Sequence, residues 1–303
     1  MKRFLVKTFI AFVIILICFI PVDIIETYKL RESNNLEYAG WNDIFHHRIN
    51  ADVIINGSSR AWTQFSPEII ESKLNIQAYN LGIDGSCFNR QALKYEFYRK
   101  YNKKPRFVIQ NIDCFSTLGW TEGYMKQQYF PYFYNIDFRN KIFKTEPFSF
   151  AEKYIPMYRY SHFGIKNLYK GYGPMKKGYF GVERNWDGSV FDMQDSLFFK
   201  VDERTLKMFC AFLSTAQEEG IKVIMVYAPI YFGATKKIVN IKEMYAVFDS
   251  LSMLYNAPIL DYNYDEICYD TAYFYNATHL NKKGSELFTT KLCHDIDSLQ
   301  LLN

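Results

Sequence analysis

The sequence predicts an α/β protein with a parallel sheet of about five strands and helices on both faces. Short apolar runs of strand length recur between residues 52 and 261, as in strands that are buried on both sides. Segments with helical spacing or helix-boundary residues separate these runs, and this alternation favours an α/β fold. An aromatic-rich stretch, 115–200, breaks the alternation and predicts an insertion.

The predicted elements follow in order along the chain. Strands are expected over residues 52–56, 77–81, 105–113, 221–227 and 257–261. Helices are expected over residues 67–73, 88–102, 203–219, 238–256 and 285–299. The first of these helices has a capping signal, because Ser66 precedes Pro67 at the first helical position. Gly220 ends the helix over 203–219, and a loop over 262–281 leads into the last helix.

Residues 1–22 predict a membrane-spanning segment. Basic residues precede an apolar run over 9–20, which approaches the roughly 20 residues of a spanning helix when it is counted from residue 4. The run ends without a small-residue cleavage site, so an uncleaved signal anchor is favoured over a cleaved signal peptide. The basic residues predict a cytoplasmic N-terminus and export of the remainder. Residues 23–50 are then a polar connector and 51–303 the α/β domain.

Composition and charge narrow the function classes. The chain has 303 residues, 49% of them hydrophobic, which is enough for one large domain with an insertion. A formal net charge of +4 without a dense basic stripe disfavours a nucleic-acid partner. No two of the six cysteines have metal-site spacing, so neither a metal nor a cofactor is expected. With Cys18 in the apolar run, the remaining five do not form a complete disulfide framework, although one pair stays open.

The insertion over 115–200 is crowded with aromatic rings. They fall into two groups, Tyr124, Tyr129, Phe130, Tyr132, Phe133 and Tyr134, and Tyr154, Tyr158, Tyr160, Tyr169, Tyr172 and Tyr179. A long insertion in a compact fold is usually a lid or a binding loop. Rings with polar tips suit stacking on sugar faces or a position at a membrane surface. The alternative is a packed subdomain with an aromatic core.

Two polar loops far apart in the sequence carry residues suited to nucleophilic catalysis. The turn Asn56-Gly57-Ser58-Ser59 directly follows the first strand, at the sheet edge where α/β proteins place their sites. His279 lies in a polar loop just before the last helix. A serine hydroxyl needs a base within hydrogen-bonding reach, and these two loops would meet if both lie at the same edge of the sheet.

Together the two blocks resemble the SGNH (GDSL-like) hydrolase superfamily over residues 50–113 and 203–300, most clearly in HLNKKG, the string that starts at His279. The resemblance implies a three-layer, flavodoxin-like fold with Ser59 as nucleophile and His279 as general base. It also implies an oxyanion site, for which the N–H groups of Ser59 and Gly82 and the amide of Asn111 are the candidates. The family's Gly before that Asn is missing here, and Asp113 is expected instead to orient the neighbouring loops.

Asn276 stands three residues before His279, where the resemblance implies an aspartate. An amide oxygen accepts a hydrogen bond from the imidazole but supplies no negative charge, and in a serine protease the Asp-to-Asn change costs about 10⁴ in rate. Three interpretations remain open. Asn276 orients His279 in a Ser-His dyad, another carboxylate such as Asp270 completes a triad, or the protein is a much reduced catalyst; the first two are favoured.

The expected function is extracytoplasmic acyl-ester chemistry on a cell-envelope polysaccharide, either as an O-acyltransferase or as an esterase. The first block with an N-terminal anchor also resembles the teichoic-acid D-alanylation proteins. This role requires an acylated or acyl-accepting glycan and an acyl donor delivered by a membrane partner protein. The alternatives are a non-catalytic glycan-binding or assembly protein and an intracellular lipase-like hydrolase.

Overall fold

The structure is a computed structural model that describes residues 1–119, 125–164, 175–186, 188 and 196–302. The helices are α1 (Lys2–Arg31), α2 (Leu36–Phe45), α3 (Ser59–Gln64), α4 (Pro67–Leu74), α5 (Phe88–Tyr101), α6 (Ile136–Thr145), α7 (Phe150–Tyr154), α8 (Tyr158–Phe163), α9 (Glu203–Glu218), α10 (Phe232–Thr235), α11 (Ile241–Tyr255) and α12 (Lys282–Ser298). The strands are β1 (Val53–Asn56), β2 (Ala78–Asn80), β3 (Phe107–Asn111), β4 (Lys222–Tyr227), β5 (Ile259–Asp261), β6 (Phe274–Asn276) and β7 (His279–Leu280). Short 3₁₀ helices cover Cys114–Thr117, Lys126–Tyr132, Glu266–Tyr269 and Thr271–Tyr273.

The chain divides into two compact units. Unit 1 comprises Met1–Asp43 and Glu122–Met175, and unit 2 comprises Ile44–Thr121 and Lys176–Asn303.

A five-stranded parallel sheet in the order β2-β1-β3-β4-β5 is the centre of unit 2. In the register, Ile55 of β1 pairs with Ile109 of β3, which pairs in turn with Ile224 of β4. After β1 the chain adds β2 on one side of it and then β3 on the other, so the direction of strand addition reverses at β1. Ligand sites of open α/β sheets lie at such a point. The predicted three-layer, flavodoxin-like fold is confirmed, and the five strands lie within the predicted ranges.

Helices cover both faces of the sheet, because the strand side chains alternate between the two sides. On one face, sheet residues pack with α3, α4 and α12 in a cluster that includes Val53, Ile55, Ile109, Val226, Phe65, Ile70, Phe288 and Leu292. On the other face lie α5, α9 and α11. Phe88 and Phe209 pack there with their ring centroids 4.4 Å apart, and the ring of Tyr227 of β4 lies 5.9 Å from that of Phe248.

Unit 1 contains α1, most of α2 and an aromatic core. The buried rings of this core are Tyr38, Trp41, Tyr129, Phe130, Tyr132, Phe133, Phe138 and Tyr160. Trp41 donates to Gln128 at 2.9 Å, and Tyr132 donates to Asn42 at 2.5 Å. Many rings of the aromatic insertion are therefore packed in an interior, as the alternative of a subdomain with an aromatic core predicts. Tyr134, Tyr154 and Tyr158 are exposed, while Tyr124, Tyr169 and Tyr172 lie outside the described residues.

The N-terminal helix is longer than the predicted anchor. Helix α1 continues to Arg31 and is long and apolar enough to cross a membrane. The segment over 23–50, predicted as a polar connector, is largely helical because α1 extends into it and α2 follows.

Two further differences concern loops of unit 2. The predicted turn after β1 becomes the six-residue helix α3, and the predicted loop over 262–281 contains the antiparallel pair β6–β7. Both elements are too short for hydrophobic periodicity to reveal them.

Candidate active site

Ser59 lies immediately beyond the carboxyl end of β1, as the first residue of α3. The turn between them is tight, since a Cβ on Gly57 would lie 2.7 Å from the Cβ of Ala61 and 2.8 Å from that of Asn111. Ser58 caps the helix by accepting the backbone N–H of Arg60. The N–H of Ser59 belongs to the first turn of α3, where backbone donors have no partner within the helix.

His279 reaches Ser59 from the other end of the chain. Its Nε2 lies 2.8 Å from the Oγ of Ser59, and its Nδ1 lies 2.9 Å from the Oδ1 of Asn276. Asn276 and His279 face each other across the β6–β7 pair, which fixes the spacing between the two side chains. The structure thus brings Ser59, His279 and Asn276 into one hydrogen-bonded chain.

The Oδ1 atom of Asn276 favours one tautomer of His279. It accepts the backbone N–H groups of Thr278 at 3.0 Å and of His279 at 2.9 Å. A backbone N–H can only donate, so the side-chain atom that faces these two groups must be the amide oxygen and not the amide nitrogen. The same oxygen can only accept from Nδ1, so this hydrogen bond forms in the tautomer that carries the proton on Nδ1 and directs the Nε2 lone pair at the Ser59 hydroxyl. This is the tautomer that a general base requires.

The hypothesis that Asp270 completes a triad is not supported. Asp270 is exposed, and its Oδ1 accepts the backbone N–H of Ala272 at 2.8 Å as the cap of a short 3₁₀ helix. Nδ1 of His279 is instead bonded to Asn276, and the hydroxyl of Thr278 lies 3.0 Å from it.

Two of the three predicted oxyanion donors are engaged elsewhere. The N–H of Gly82 donates to the side chain of Asn80 at 2.8 Å, and a Cβ on Gly82 would lie 2.4 Å from the backbone nitrogen of Trp62. The amide of Asn111 is buried and donates to the carbonyl of Val226 at 3.2 Å. Asn111 is the last residue of β3, so its amide serves the neighbouring strand. Among the predicted donors, the N–H of Ser59 remains.

A buried ion pair beside the nucleophile was not anticipated. Nε of Arg60 donates to Asp113 at 3.1 Å, and a terminal nitrogen of Arg60 donates to the carbonyl of Ile112 at 3.2 Å. Asp113 also accepts the Ser58 hydroxyl at 3.4 Å, which agrees with its expected role in orienting loops. Arg60 directly follows Ser59, and Asp113 follows β3 at the same sheet edge. Opposite charges at neighbouring strand ends were the sequence signal for this pair.

The surroundings of His279 disfavour its charged form. Burial, and then the positive charges of Arg60 and Arg184, lower the pKa of His279 to about 3. The ring of Tyr275 stacks on the imidazole of His279, with a centroid distance of 5.4 Å and an interplanar angle of 15°. The guanidinium of Arg184 lies 4.8 Å from the centre of the Tyr275 ring. His279 is therefore neutral at physiological pH, as a base must be before it accepts a proton.

An apolar pocket of about 50 Å³ adjoins the Ser59–His279 pair. Two residues of its wall adjoin the pair: Arg60 follows Ser59 in the sequence, and the hydroxyl of Thr278 contacts the ring of His279. The rest of the lining is mainly apolar, including Phe115, Leu197, Tyr227, Ile230, Ala234, Ile238 and Ile241. Cys114 also lines it, but burial, and then the charge of Asp113, raises the pKa of that thiol to about 12, so it does not compete as a nucleophile.

The arrangement can activate an alcohol for attack on a carbonyl. A hydroxyl, a neutral imidazole in the correct tautomer and an orienting acceptor lie in series, beside a pocket that suits an acyl group. Within the described part of the chain, no three His, Cys, Asp or Glu side chains are grouped as metal ligands. The sheet order and the contact between Ser59 and His279 are those expected from the sequence resemblance to the SGNH (GDSL-like) hydrolases.

Comparisons with known proteins give distant similarities. No protein-family model and no curated protein matches the chain. Similar solved structures include an acetyl xylan esterase, at 12% identity and a TM-score of 0.44, over 80% of this chain and 98% of that one. A GDSL-like lipase from Bacteroides thetaiotaomicron matches at 10% identity and a TM-score of 0.40, over 84% and 97% of the two chains. Neither similarity is close enough to support a conclusion, so the function must be inferred from this chain's own residues.

Proposed function

We propose that this protein is an SGNH-type esterase or O-acyltransferase, with Ser59 as nucleophile, His279 as general base and Asn276 as the residue that orients the base. The observation that carries the proposal is the 2.8 Å contact between Ser59 Oγ and His279 Nε2 across 220 residues of sequence. Two side chains so far apart in the chain meet at the carboxyl edge of the sheet, where such folds place their sites.

The proposed mechanism follows from the hydrogen-bond directions. As Ser59 Oγ attacks the ester carbonyl, its proton passes to Nε2 of His279, and His279 then returns the proton to the leaving alcohol. The acyl group on Ser59 passes next to water or to a sugar hydroxyl. His279 accepts the proton of the attacking hydroxyl and returns it to Ser59 Oγ as the bond between Oγ and the acyl group breaks. The N–H of Ser59 stabilises the developing oxyanion.

Membrane attachment and export are a second part of the proposal. Most side chains of α1 up to residue 22 are exposed and apolar, as expected for a helix that lies in lipid. The basic residues at its start favour a cytoplasmic N-terminus, which would put the α/β domain on the extracytoplasmic side. A cell-envelope polysaccharide is then the expected acyl acceptor or acylated substrate, and a membrane partner the expected acyl donor.

A second candidate function is glycan binding or assembly without catalysis. Two observations favour it: Asn276 brings no negative charge to His279, and the lowered pKa makes His279 a weak base. The two candidates differ in whether Ser59 reacts with an electrophile.

A fluorophosphonate probe separates the candidates. We expect the intact protein to be labelled, and Ser59→Ala and His279→Ala to lose the label. Ser58→Ala is the matched control for the nucleophile, because its hydroxyl faces Asp113, and His294→Ala is the control for the base, because that ring is exposed. Absence of labelling in the intact protein, or equal labelling in Ser59→Ala, would reject the enzymatic proposal.

The location is tested by reporter fusions after residue 40. An alkaline phosphatase fusion that is active, together with an inactive cytoplasmic reporter at the same position, is expected for an exported domain. The reverse pattern would instead support an intracellular lipase-like hydrolase.

A further inference from the structure

Unit 1 contains a second pocket, open to solvent and of about 460 Å³, beside the last turns of α1. Its lining contains four cationic side chains, Arg31, Arg139, Lys153 and Arg159. The only carboxylate in that lining is Asp23. The pocket is separate from the Ser59–His279 pair, which belongs to unit 2, and the proposed acyl chemistry makes no use of it.

The positive charge of this pocket is not neutralised by the described residues around it. Asp23 is paired with Arg159 at 2.5 Å. The ion pairs formed among the described residues do not include Arg31, Arg139 or Lys153. Three like charges that face one cavity repel each other, so an anion in that cavity would be stabilised.

Two of the guanidinium groups also have unused donors. The Nε atoms of Arg31 and Arg159 are buried and lack a hydrogen-bond partner in the described part of the chain. The guanidinium of Arg31 lies over the ring of Tyr134, 4.2 Å from the ring centre, and this contact helps to hold the group in place. Arg159 lies 4.6 Å from the ring centre of Tyr160. Fixed arginines with free N–H groups match the geometry of a phosphate.

The position of the pocket along α1 indicates where the anion comes from. Exposed apolar side chains line the helix from Phe4 to Val22, and these 19 positions span about 28 Å at 1.5 Å per residue. This length matches the hydrocarbon core of a bilayer, about 30 Å, and the headgroup layer adds about 5–8 Å on each side. Asp23 and Thr27 of the pocket lie about 1.5 and 8 Å beyond Val22 on the same helix, at the depth of the headgroups.

We propose that this pocket binds the phosphate of an anionic phospholipid headgroup in the membrane that α1 crosses. Arg31, Arg139 and Lys153 supply the positive charge, and Phe130 and Phe133 provide an apolar wall. Tyr28, which lines the pocket and is 63% exposed, suits the same interfacial layer. Lipid binding at this place would fix unit 1 at the membrane surface independently of any acyl chemistry.

The test uses the full chain in a neutral maltoside detergent and isothermal titration calorimetry. The probe is dihexanoyl phosphatidylglycerol, compared with the zwitterionic dihexanoyl phosphatidylcholine and with free glycerol phosphate. We expect the anionic lipid to bind about tenfold more tightly than either comparison ligand. Equal affinity for the two lipids would overturn the proposal, and equal affinity for glycerol phosphate would overturn the assignment to a membrane lipid.

Charge-removing variants locate the binding. Arg139→Gln combined with Lys153→Gln is expected to weaken binding of the anionic lipid roughly 25-fold, at about fivefold for each charge near a membrane surface. Lys144→Gln combined with Lys207→Gln is the matched control, since it removes two exposed charges outside the pocket. Arg139→Lys keeps the charge and should retain most of the affinity. Circular dichroism melting checks that each variant is folded, and equal affinities for the pocket and control variants would reject the site.

Discussion

Asn276 holds His279 twice through a single atom: its Oδ1 accepts both the backbone N–H and the ring Nδ1–H of His279, each at 2.9 Å. The backbone contact orients the amide, and the ring contact then orients the imidazole. An unconstrained Asn would be equally able to present its NH₂ group to the ring and so select the wrong tautomer. Replacing Asp by Asn has two disadvantages, the risk of the wrong tautomer and the loss of the negative charge. The geometry of this loop removes the first, and only the missing charge remains.

Substitutions of Asn276 test this division of roles. Asn276→Asp keeps the acceptor and adds a negative charge that stabilises the imidazolium, so we expect kcat for a p-nitrophenyl ester to rise several-fold. Asn276→Ala removes the acceptor and should lower kcat by about 10²-fold or more, since a triad with the wrong tautomer loses about 10⁴. An unchanged rate in both variants would show that Asn276 does not act on the base.

The pH dependence of the ester reaction should extend unusually far into acid. Because the pKa of His279 is lowered to about 3, the imidazole stays neutral and able to accept a proton well below its ordinary value of 6.5. We therefore expect the acidic limb of the kcat/KM profile to fall below pH 5, and to move to higher pH in Asn276→Asp. A limb centred near pH 6.5 in the unmodified protein would contradict the proposed surroundings of His279.

The same shift predicts a loss of stability in acid. The unfolded chain binds a proton at His279 near pH 6.5, whereas the folded protein resists it down to about pH 3. The free energy of unfolding should therefore decrease as the pH falls through this window. His279→Gln does not titrate and should show a shallower decrease in urea titrations at pH 7 and pH 4, while His294→Gln, an exposed control, should follow the unmodified protein. Parallel curves for all three proteins would refute this expectation.

The sequence was sufficient for the sheet because its central strands are largely apolar runs with clear boundaries. Val53 to Ile55 and the run within 221–227 are buried along their length or nearly so, and such runs between turn residues are shorter than most helices. The meeting of Ser59 and His279 was predictable for the same reason, since both follow elements that end at one edge of the sheet.

The oxyanion donors were harder to predict, because a shift of one residue in the end of a strand changes which side chain faces the site. Asn111 is still inside β3, whereas Asp113 is the side chain that emerges at the sheet edge beside Arg60. The sequence cannot distinguish these positions, because strand ends are uncertain by a residue or two. Gly82 was likewise assigned from its place after β2, but its N–H is used by Asn80, a bond between near neighbours that carries no sequence signature.

The buried Arg60–Asp113 pair should be important for folding. Asp113→Ala would leave the guanidinium of Arg60 buried without its counter-charge, and breaking a buried pair in this way costs about 3–5 kcal/mol in the free energy of unfolding. Asp52→Ala is the matched control, because the pair between Asp52 and Lys103 is partly exposed and such pairs contribute about 0–1 kcal/mol. Urea unfolding followed by circular dichroism measures both values. Equal effects of the two substitutions would show that Arg60 is solvated or paired differently.

The apolar pocket predicts which part of the substrate it receives. If it holds the acyl chain, Ala234→Leu fills space in its wall and should penalise long chains more than short ones. We expect the ratio of kcat/KM for p-nitrophenyl hexanoate to that for the acetate to fall about tenfold or more, since each methylene excluded from an apolar site costs about 0.8 kcal/mol. Ala246→Leu, the same change at an exposed position of α11, should leave the ratio unchanged. A ratio unaffected by Ala234→Leu would place the acyl chain elsewhere and leave this pocket for the alcohol portion of the ester.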